Sequence, residues 1–263
     1  MNARQAQYAL VAALAAALAA VACEQQPPPA ATGKPTAAPD KPKGPVSTRA
    51  LTPQWPSVAQ DKAEQAAISR DLFARNYYVV LDASGSMNEK GCSGEQNKID
   101  AARVALNAFA ESLPADANLG LQVFDVQGVR EQLPLATGNR ARFKAALANV
   151  HASGGTPLHS AITEGYAKLV AQGGRQLGYG EYHLVVVTDG EASKGQDPSG
   201  AVKVLLERSP VVLHTIGFCV CTAHSLNQPG RTIYRAADDP NQLRQHLSEV
   251  LAEAPTFTVT GFK

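Results

Sequence analysis

Short apolar runs alternate with segments of helical periodicity from about Leu72 onward. A continuous run of four to eight apolar residues is typical of a strand that is buried on both faces. Such runs predict strands at 76–82, 119–125, 182–188 and 211–218, and two weaker segments of mixed polarity are expected to be strands at 129–135 and 232–235. Apolar residues spaced three and four positions apart predict helices at about 99–113, 139–150, 158–169, 201–208 and 240–254, the second of them capped by Asn139.

Most of these strands are separated by a helix, and strands connected in that way pair in parallel through right-handed crossovers. The pattern therefore predicts an α/β fold with a doubly wound, mostly parallel sheet and helices on both faces. One Rossmann-like domain accounts for all of the elements. We expect it to occupy residues 57–263, with its core at 76–254.

The N-terminus has the features of an export signal. Arg4 precedes an apolar stretch from Tyr8 to Val21, and small residues follow up to Cys23. A cysteine in this position resembles the lipobox of bacterial lipoproteins, which implies a signal peptide at residues 1–22 and a lipid on Cys23. In that family, an aspartate directly after the lipidated cysteine is associated with retention in the inner membrane. Glu24 stands at that position in this chain, so the resemblance favours an outer-membrane location in the cell envelope. An uncleaved N-terminal anchor is the alternative.

Residues 23–56 differ in composition from the rest of the chain. Nine of the 17 prolines lie between Glu24 and Pro56. Proline removes backbone donors and favours extended chain, so this segment is expected to be a semi-rigid tether between Cys23 and the domain.

The charge balance excludes some partners. The 263 residues contain 24 Lys and Arg against 23 Asp and Glu, which gives a formal net charge of +1. A dedicated nucleic-acid binder carries a basic excess, so no nucleic-acid partner is expected. The same balance offers no polybasic membrane patch, and a lipid on Cys23 would have to supply the attachment.

Three loops that leave the predicted strands or precede a predicted helix carry oxygen-bearing side chains. They contain two carboxylates and three hydroxyls: Asp82, Ser84, Ser86, Thr156 and Asp189. Ligands of doubly wound sheets bind beyond the carboxyl ends of the strands, where these loops meet. Such hard oxygen donors suit Mg²⁺ or Mn²⁺, whereas Zn²⁺ prefers His and Cys. The alternative is that these side chains only cap turns and helices.

The pattern Asp82-x-Ser84-x-Ser86, followed by Thr156 and Asp189, resembles the metal-ion-dependent adhesion site of von Willebrand factor A domains. The resemblance covers about residues 76–254. It implies that these five residues hold Mg²⁺ or Mn²⁺ and that a protein partner offers a Glu or Asp side chain to the metal. Two stretches that leave the same rim, 87–97 and 219–230, depart from the family pattern and are expected to shape partner specificity.

The cysteines allow several arrangements. With Cys23 lipidated, three cysteines remain, and a disulfide from Cys92 to Cys219 or Cys221 suits an oxidising compartment. A Cys219–Cys221 bridge is a second option. A zinc site made from these three cysteines and His224 is a third.

The sequence thus predicts a lipid-anchored envelope protein that binds a protein partner through a metal and is not an enzyme. A non-adhesive scaffold of an envelope complex is the main alternative. A hydrolase built on Ser84, His159 and Asp189 is a weaker one, because no Gly-x-Ser-x-Gly surrounds the serine.

Overall fold

The computed structural model describes Trp55, residues 68–220 and residues 224–252. The expectations for the signal peptide, for Cys23 and for most of the tether lie outside these residues. The six strands are β1 (Arg75–Asp82), β2 (Asn118–Asp125), β3 (Gly128–Ala136), β4 (Glu181–Thr188), β5 (Val212–Phe218) and β6 (Ile233–Ala237). The helices of more than four residues are α1 (Lys98–Ser112), α2 (Arg140–Ala148), α3 (Leu158–Arg175), α4 (Ser199–Arg208) and α5 (Pro240–Ala252).

The strands form one sheet in the order β3-β2-β1-β4-β5-β6. All neighbouring pairs are parallel except β2 and β3. Only Val126 and Gln127 separate β2 from β3, and a connection of two residues can form a hairpin but not a parallel crossover. The predicted fold class, a doubly wound and mostly parallel sheet, is confirmed.

Side chains from alternate positions of the strands build two apolar cores, one on each face of the sheet. Tyr77, Val79 and Leu81 of β1 pack with the apolar residues of α1, α2 and α5. Tyr78 and Val80 face the other side and pack with those of α3 and α4. Because successive residues of a strand point to opposite faces, one strand that is buried from its second residue onward supplies both cores.

Asn139 has a different role from the expected helix cap. It precedes α2, but its side chain makes no capping hydrogen bond. Its Nδ2 instead donates to the carbonyl oxygens of Leu119 and Pro134, each at 2.7 Å. The side chain therefore ties α2 to β2 and β3, because those buried carbonyls needed a donor.

Trp55 packs against the domain at the amino-terminal end of β4. Its ring lies 5.2 Å from that of Tyr182 and 6.5 Å from that of Tyr166, between centroids. A Cβ at Gly173 in α3 would lie 2.6 Å from the Trp55 ring, so the glycine makes room for it. Within the described residues, none of the helices combines the length and the apolar character that a membrane span requires.

Candidate metal centre

Asp82 is the last residue of β1, and its carboxylate is completely buried. Oδ1 accepts a hydrogen bond from the backbone N–H of Ser84 at 2.7 Å. Oδ2 accepts one from the hydroxyl of Thr188 at 2.6 Å, across the β1–β4 pair. Both oxygens are thus fixed, one by the loop that follows β1 and the other by the last residue of β4.

Ser84, Ser86 and Asp189 form a chain of hydrogen bonds beside this carboxylate. The hydroxyl oxygens of Ser84 and Ser86 lie 3.1 Å apart. Ser86 in turn donates to Oδ1 of Asp189 at 2.8 Å. Asp189 directly follows β4, and β4 pairs with β1 in the register Leu81↔Val187, so the fold places the two aspartates at neighbouring strand ends.

Thr156 reaches the same place from the loop before α3. Its backbone N–H donates to the Ser193 hydroxyl at 2.9 Å, and its carbonyl accepts from the Ser193 N–H at 2.9 Å. A Cβ built on Gly190 would lie 3.9 Å from both Ser86 Oγ and Thr156 Oγ1. The two hydroxyls therefore flank the turn that carries Asp189, and the structure brings all five predicted residues together.

The loop that carries Thr156 is attached directly to the loop after β1. The N–H of Gly85 donates to the Gly154 carbonyl at 3.0 Å, and the N–H of Ser153 donates to the Ala83 carbonyl at 2.7 Å. Gly154 has a φ of +85°, and a Cβ there would lie 2.4 Å from the backbone nitrogen of Val126. Only glycine allows this close approach, which packs the loop that carries Thr156 against the turn between β2 and β3.

Lys98 adds a positive charge that the sequence-based prediction did not include. Its ammonium group lies 2.8 Å from Oδ2 of Asp189, and the two side chains are 8% and 0% exposed. Lys98 is the first residue of α1, where the positive end of the helix dipole disfavours a cation. A lysine at this position favours a contact with some acidic side chain, but the fold selects which one, here a carboxylate 91 positions away.

Burial raises the pKa of Asp82 to about 6, because the charged form loses its hydration. The hydrogen bonds from Ser84 and Thr188 oppose that shift, and the nearby charge of Asp189 adds to it. Buried carboxylates without enough positive charge favour either a proton or a bound cation.

The donor set fits a hard divalent cation. Two carboxylates and three hydroxyls supply oxygen ligands, which Mg²⁺ and Mn²⁺ prefer. Among the described residues, no group of three or more His, Cys, Asp or Glu side chains could hold a metal ion. Any cation at this rim would therefore depend on the serine and threonine hydroxyls as well as on the aspartates.

The cysteines of the rim are in a disulfide. Cys92 is bonded to Cys219, with their Cα atoms 5.4 Å apart, while Cys221 lies outside the described residues. Zinc binds thiolates, so the zinc hypothesis, which required Cys92 and Cys219 as ligands, is wrong in this structure.

His224 also has a structural role. Its Nδ1 accepts a hydrogen bond from the N–H of Leu226 at 3.0 Å, so the proton is on Nε2. Nε2 donates to the carbonyl of Gly190 at 2.9 Å. The second stretch predicted to shape the rim is thereby attached to the turn that holds Asp189.

The contacts of the proposed hydrolytic residues do not form a catalytic chain. The Ser84 hydroxyl contacts Ser86, and Nδ1 of His159 lies 3.2 Å from the carbonyl of Asp197. Asp189 contacts Ser86 and Lys98. Nucleophilic catalysis needs a base within hydrogen-bond reach of the serine, and these contacts give Ser84 no histidine.

Fold and site together define an α/β domain with a cluster of oxygen donors beyond the carboxyl ends of its central strands. Residues 76–263 match the von Willebrand factor type A domain, and the chain belongs to that family. The uncharacterized protein YwmD of Bacillus subtilis is 30% identical over an alignment of 159 residues that covers 54% of this chain and 67% of YwmD.

Solved structures show the same fold in distant proteins. The conserved hypothetical protein BatB from Bacteroides thetaiotaomicron superposes with a TM-score of 0.54 at 18% identity, over 68% of this chain and 100% of that one. The manganese-loaded TRAP protein of Plasmodium vivax gives a TM-score of 0.51 at 19% identity, over 67% of this chain and 72% of that one.

Proposed function

We propose that this chain is a lipid-anchored protein of the bacterial cell envelope whose von Willebrand factor A domain binds a protein partner through a divalent metal ion. The partner would offer a Glu or Asp side chain. The observation that carries the proposal is the convergence of Asp82, Ser84, Ser86, Thr156 and Asp189 at one end of the sheet.

Those five residues would hold Mg²⁺ or Mn²⁺. A bound ion of this kind supplies a Lewis-acidic position that attracts a carboxylate oxygen. The chain itself contributes the rigid frame, because every carboxylate oxygen of Asp82 and Asp189 has a protein donor that fixes its direction. The manganese-loaded TRAP structure, which has the same fold, supports the choice of metal.

The anchor is supported by the sequence alone. Residues 1–22 would be removed and Cys23 acylated, with residues 23–56 as the tether and the outer membrane as the favoured location. The chain would then present its rim to partners of the envelope.

One observation favours the scaffold alternative. The Lys98–Asp189 ion pair and the bonds to Asp82 satisfy both carboxylates without any metal. A domain completed in this way could assemble a complex through another surface.

A metal titration of the full-length protein separates the two functions. The melting temperature is followed in EDTA and then with Mg²⁺, Mn²⁺ and Ca²⁺ for the wild type, Asp82→Asn and Asp125→Asn. Asp125 also ends a strand at this rim but pairs with Arg130, which makes it a matched control. A ligand at 100 times its dissociation constant stabilises the native state by about 2.7 kcal/mol.

We expect Mg²⁺ or Mn²⁺ to raise the melting temperature of the wild type and of Asp125→Asn but not of Asp82→Asn. Identical responses of all three proteins, or no binding by calorimetry at millimolar metal, would remove the support for a metal-bridged contact. The scaffold function would then be preferred.

A further inference from the structure

Lys98 contacts Asp189, one of the two carboxylates that would hold a metal ion. Its ammonium group takes one oxygen of Asp189, while Ser86 takes the other. A divalent cation bound by the same carboxylate would lie close to a buried positive charge. Two like charges at short range in a poorly hydrated site repel each other strongly.

The loop before α1 keeps Lys98 in this position. The N–H of Lys98 donates to the Glu89 carbonyl at 2.9 Å. A Cβ at Gly91 would lie 2.6 Å from Lys98 Cε and 3.5 Å from Cys219 Sγ, so this loop covers the lysine stem beside the disulfide. Cys92 fastens the loop to Cys219 at the end of β5. A cross-linked segment therefore covers the stem of Lys98 next to Asp189.

The formal charges then determine what the loaded site needs. Asp82 and Asp189 supply two negative charges and Lys98 one positive charge, so a divalent cation leaves the site with one net positive charge. One carboxylate from outside brings the sum to zero. Without Lys98, the two aspartates alone would neutralise the metal, and no further anion would be required.

We propose that Lys98 couples the two binding events at this rim, so that metal and an acidic ligand bind more tightly together than either does alone. The inference rests on the proposed function and adds to it the residue that would make the metal-loaded site select an anionic partner. Lys98 acts through Asp189 and is a positioning residue that discriminates a carboxylate from a neutral amide. By linkage, the ligand must strengthen metal binding by the same factor that the metal strengthens ligand binding.

The test measures Mn²⁺ affinity of the full-length protein by calorimetry, alone and with saturating N-acetyl-glutamate amide. N-acetyl-glutamine amide is the neutral probe of the same shape. The proteins are the wild type, Lys98→Met, Lys98→Arg and Lys90→Met, the last being an exposed lysine of the same loop. Thermal unfolding in EDTA and in Mn²⁺ is recorded for each.

For the wild type we expect the glutamate probe, but not the glutamine probe, to strengthen Mn²⁺ binding at least threefold. Lys98→Met should bind Mn²⁺ at least tenfold more tightly without a probe and lose most of the glutamate effect. Lys98→Arg and Lys90→Met should behave as the wild type. Folding of Lys98→Met only in Mn²⁺ also supports the inference, because the metal then replaces the positive charge of the ammonium group. In that case the Mn²⁺ affinity is measured with Lys98→Gln instead.

The inference is overturned if the Met and Gln variants bind Mn²⁺ no more tightly than the wild type, or if the glutamate effect survives in them. An absence of Mn²⁺ binding in all of the proteins overturns the proposed function as well. Asp82-dependent Mn²⁺ binding that is insensitive to Lys98 overturns the coupling alone.

Discussion

The position of Thr156 depends on a single glycine two residues earlier in the chain. Gly154 has a φ of +85°, and a Cβ there would lie 2.4 Å from the backbone nitrogen of Val126. We expect Gly154→Ala to lower the free energy of unfolding by about 2–4 kcal/mol, since it combines a strained φ with a steric clash. Urea denaturation measures the change.

Gly128→Ala is the matched control for that substitution. Gly128 has a φ of +90°, but a Cβ there meets nothing within 4 Å, so only the backbone strain remains. Its loss should be about 1–2 kcal/mol. Equal losses in both variants would show that the close approach to Val126 contributes nothing.

The second residue of interest for stability is His214, in the middle of β5. It is 1% exposed, and its Nε2 lies 3.2 Å from Nδ1 of His183, while Arg235 is the charged group that acts on it. Burial lowers the pKa of His214 to about 4, with the charge of Arg235 adding to the effect. The folded state therefore takes up the proton at lower pH than the unfolded chain, whose histidine titrates near 6.5.

A lowered histidine pKa stabilises the fold above about pH 6.5, and this contribution is lost as the pH falls toward 4. The free energy of unfolding should therefore fall less on acidification when this histidine is absent. We expect the loss in His214→Gln to be smaller than that in the wild type by up to about 3 kcal/mol. Unfolding free energies at several pH values between 7.5 and 4.5 measure it. The exposed His151→Gln should keep the wild-type slope, and an unchanged slope in His214→Gln would contradict the assignment.

Single residues also show what the sequence could and could not predict at the site. Asp82 and Asp189 come at the end of continuous apolar runs, and because such runs predict buried strands, the position of both residues at strand ends was predictable. The contact of Lys98 with Asp189 joins residues 91 positions apart. A long, flexible side chain can reach many partners, and only the packed loop around Gly91 selects this one.

Among the larger elements, the segment between β1 and α1 depends on its cross-link. The disulfide joins Cys92 to Cys219 over 127 positions. A disulfide that closes so long a loop lowers the entropy of the unfolded chain and thereby stabilises the folded state by about 2–5 kcal/mol. We expect the double variant Cys92→Ser/Cys219→Ser to lose that amount in chemical denaturation under oxidising conditions.

Cys221→Ser distinguishes this pairing from the other one that the sequence allows. It should leave the stability unchanged, and a reducing agent should destabilise the wild type but not the double variant. Loss of stability in Cys221→Ser instead would mean that Cys221 is the true partner of Cys92.

The elements differ in how far the sequence determined them. β1 and β4 were predictable because both are buried on two faces, which gives uninterrupted apolar runs. The antiparallel β3 lies at the sheet edge with mixed exposure, so its run is weaker. The turns at 224–232 depend on contacts such as His224 with Gly190, which a local pattern does not contain.

For the whole molecule, the proposed lipid on Cys23 makes a simple prediction. Cys23→Ser should abolish labelling of the protein by a fatty-acid analogue, because it removes the thiol that the proposed lipid modifies. Fractionation of cells and labelling with a fatty-acid analogue measure this. Cys221→Ser serves as the control, and membrane retention of unlabelled Cys23→Ser would point to the uncleaved anchor.

The place where Trp55 docks has a mechanical consequence. Trp55 contacts Tyr182 at the start of β4, whereas Asp189 follows the end of the same strand, about 25 Å away for eight residues. A partner held at the rim and a tether fixed at Trp55 would pull along the strands. If the proposed anchor and partner act at these two places, the hydrogen bonds between β1 and β4 would be loaded along the strands and would share the force across the central sheet.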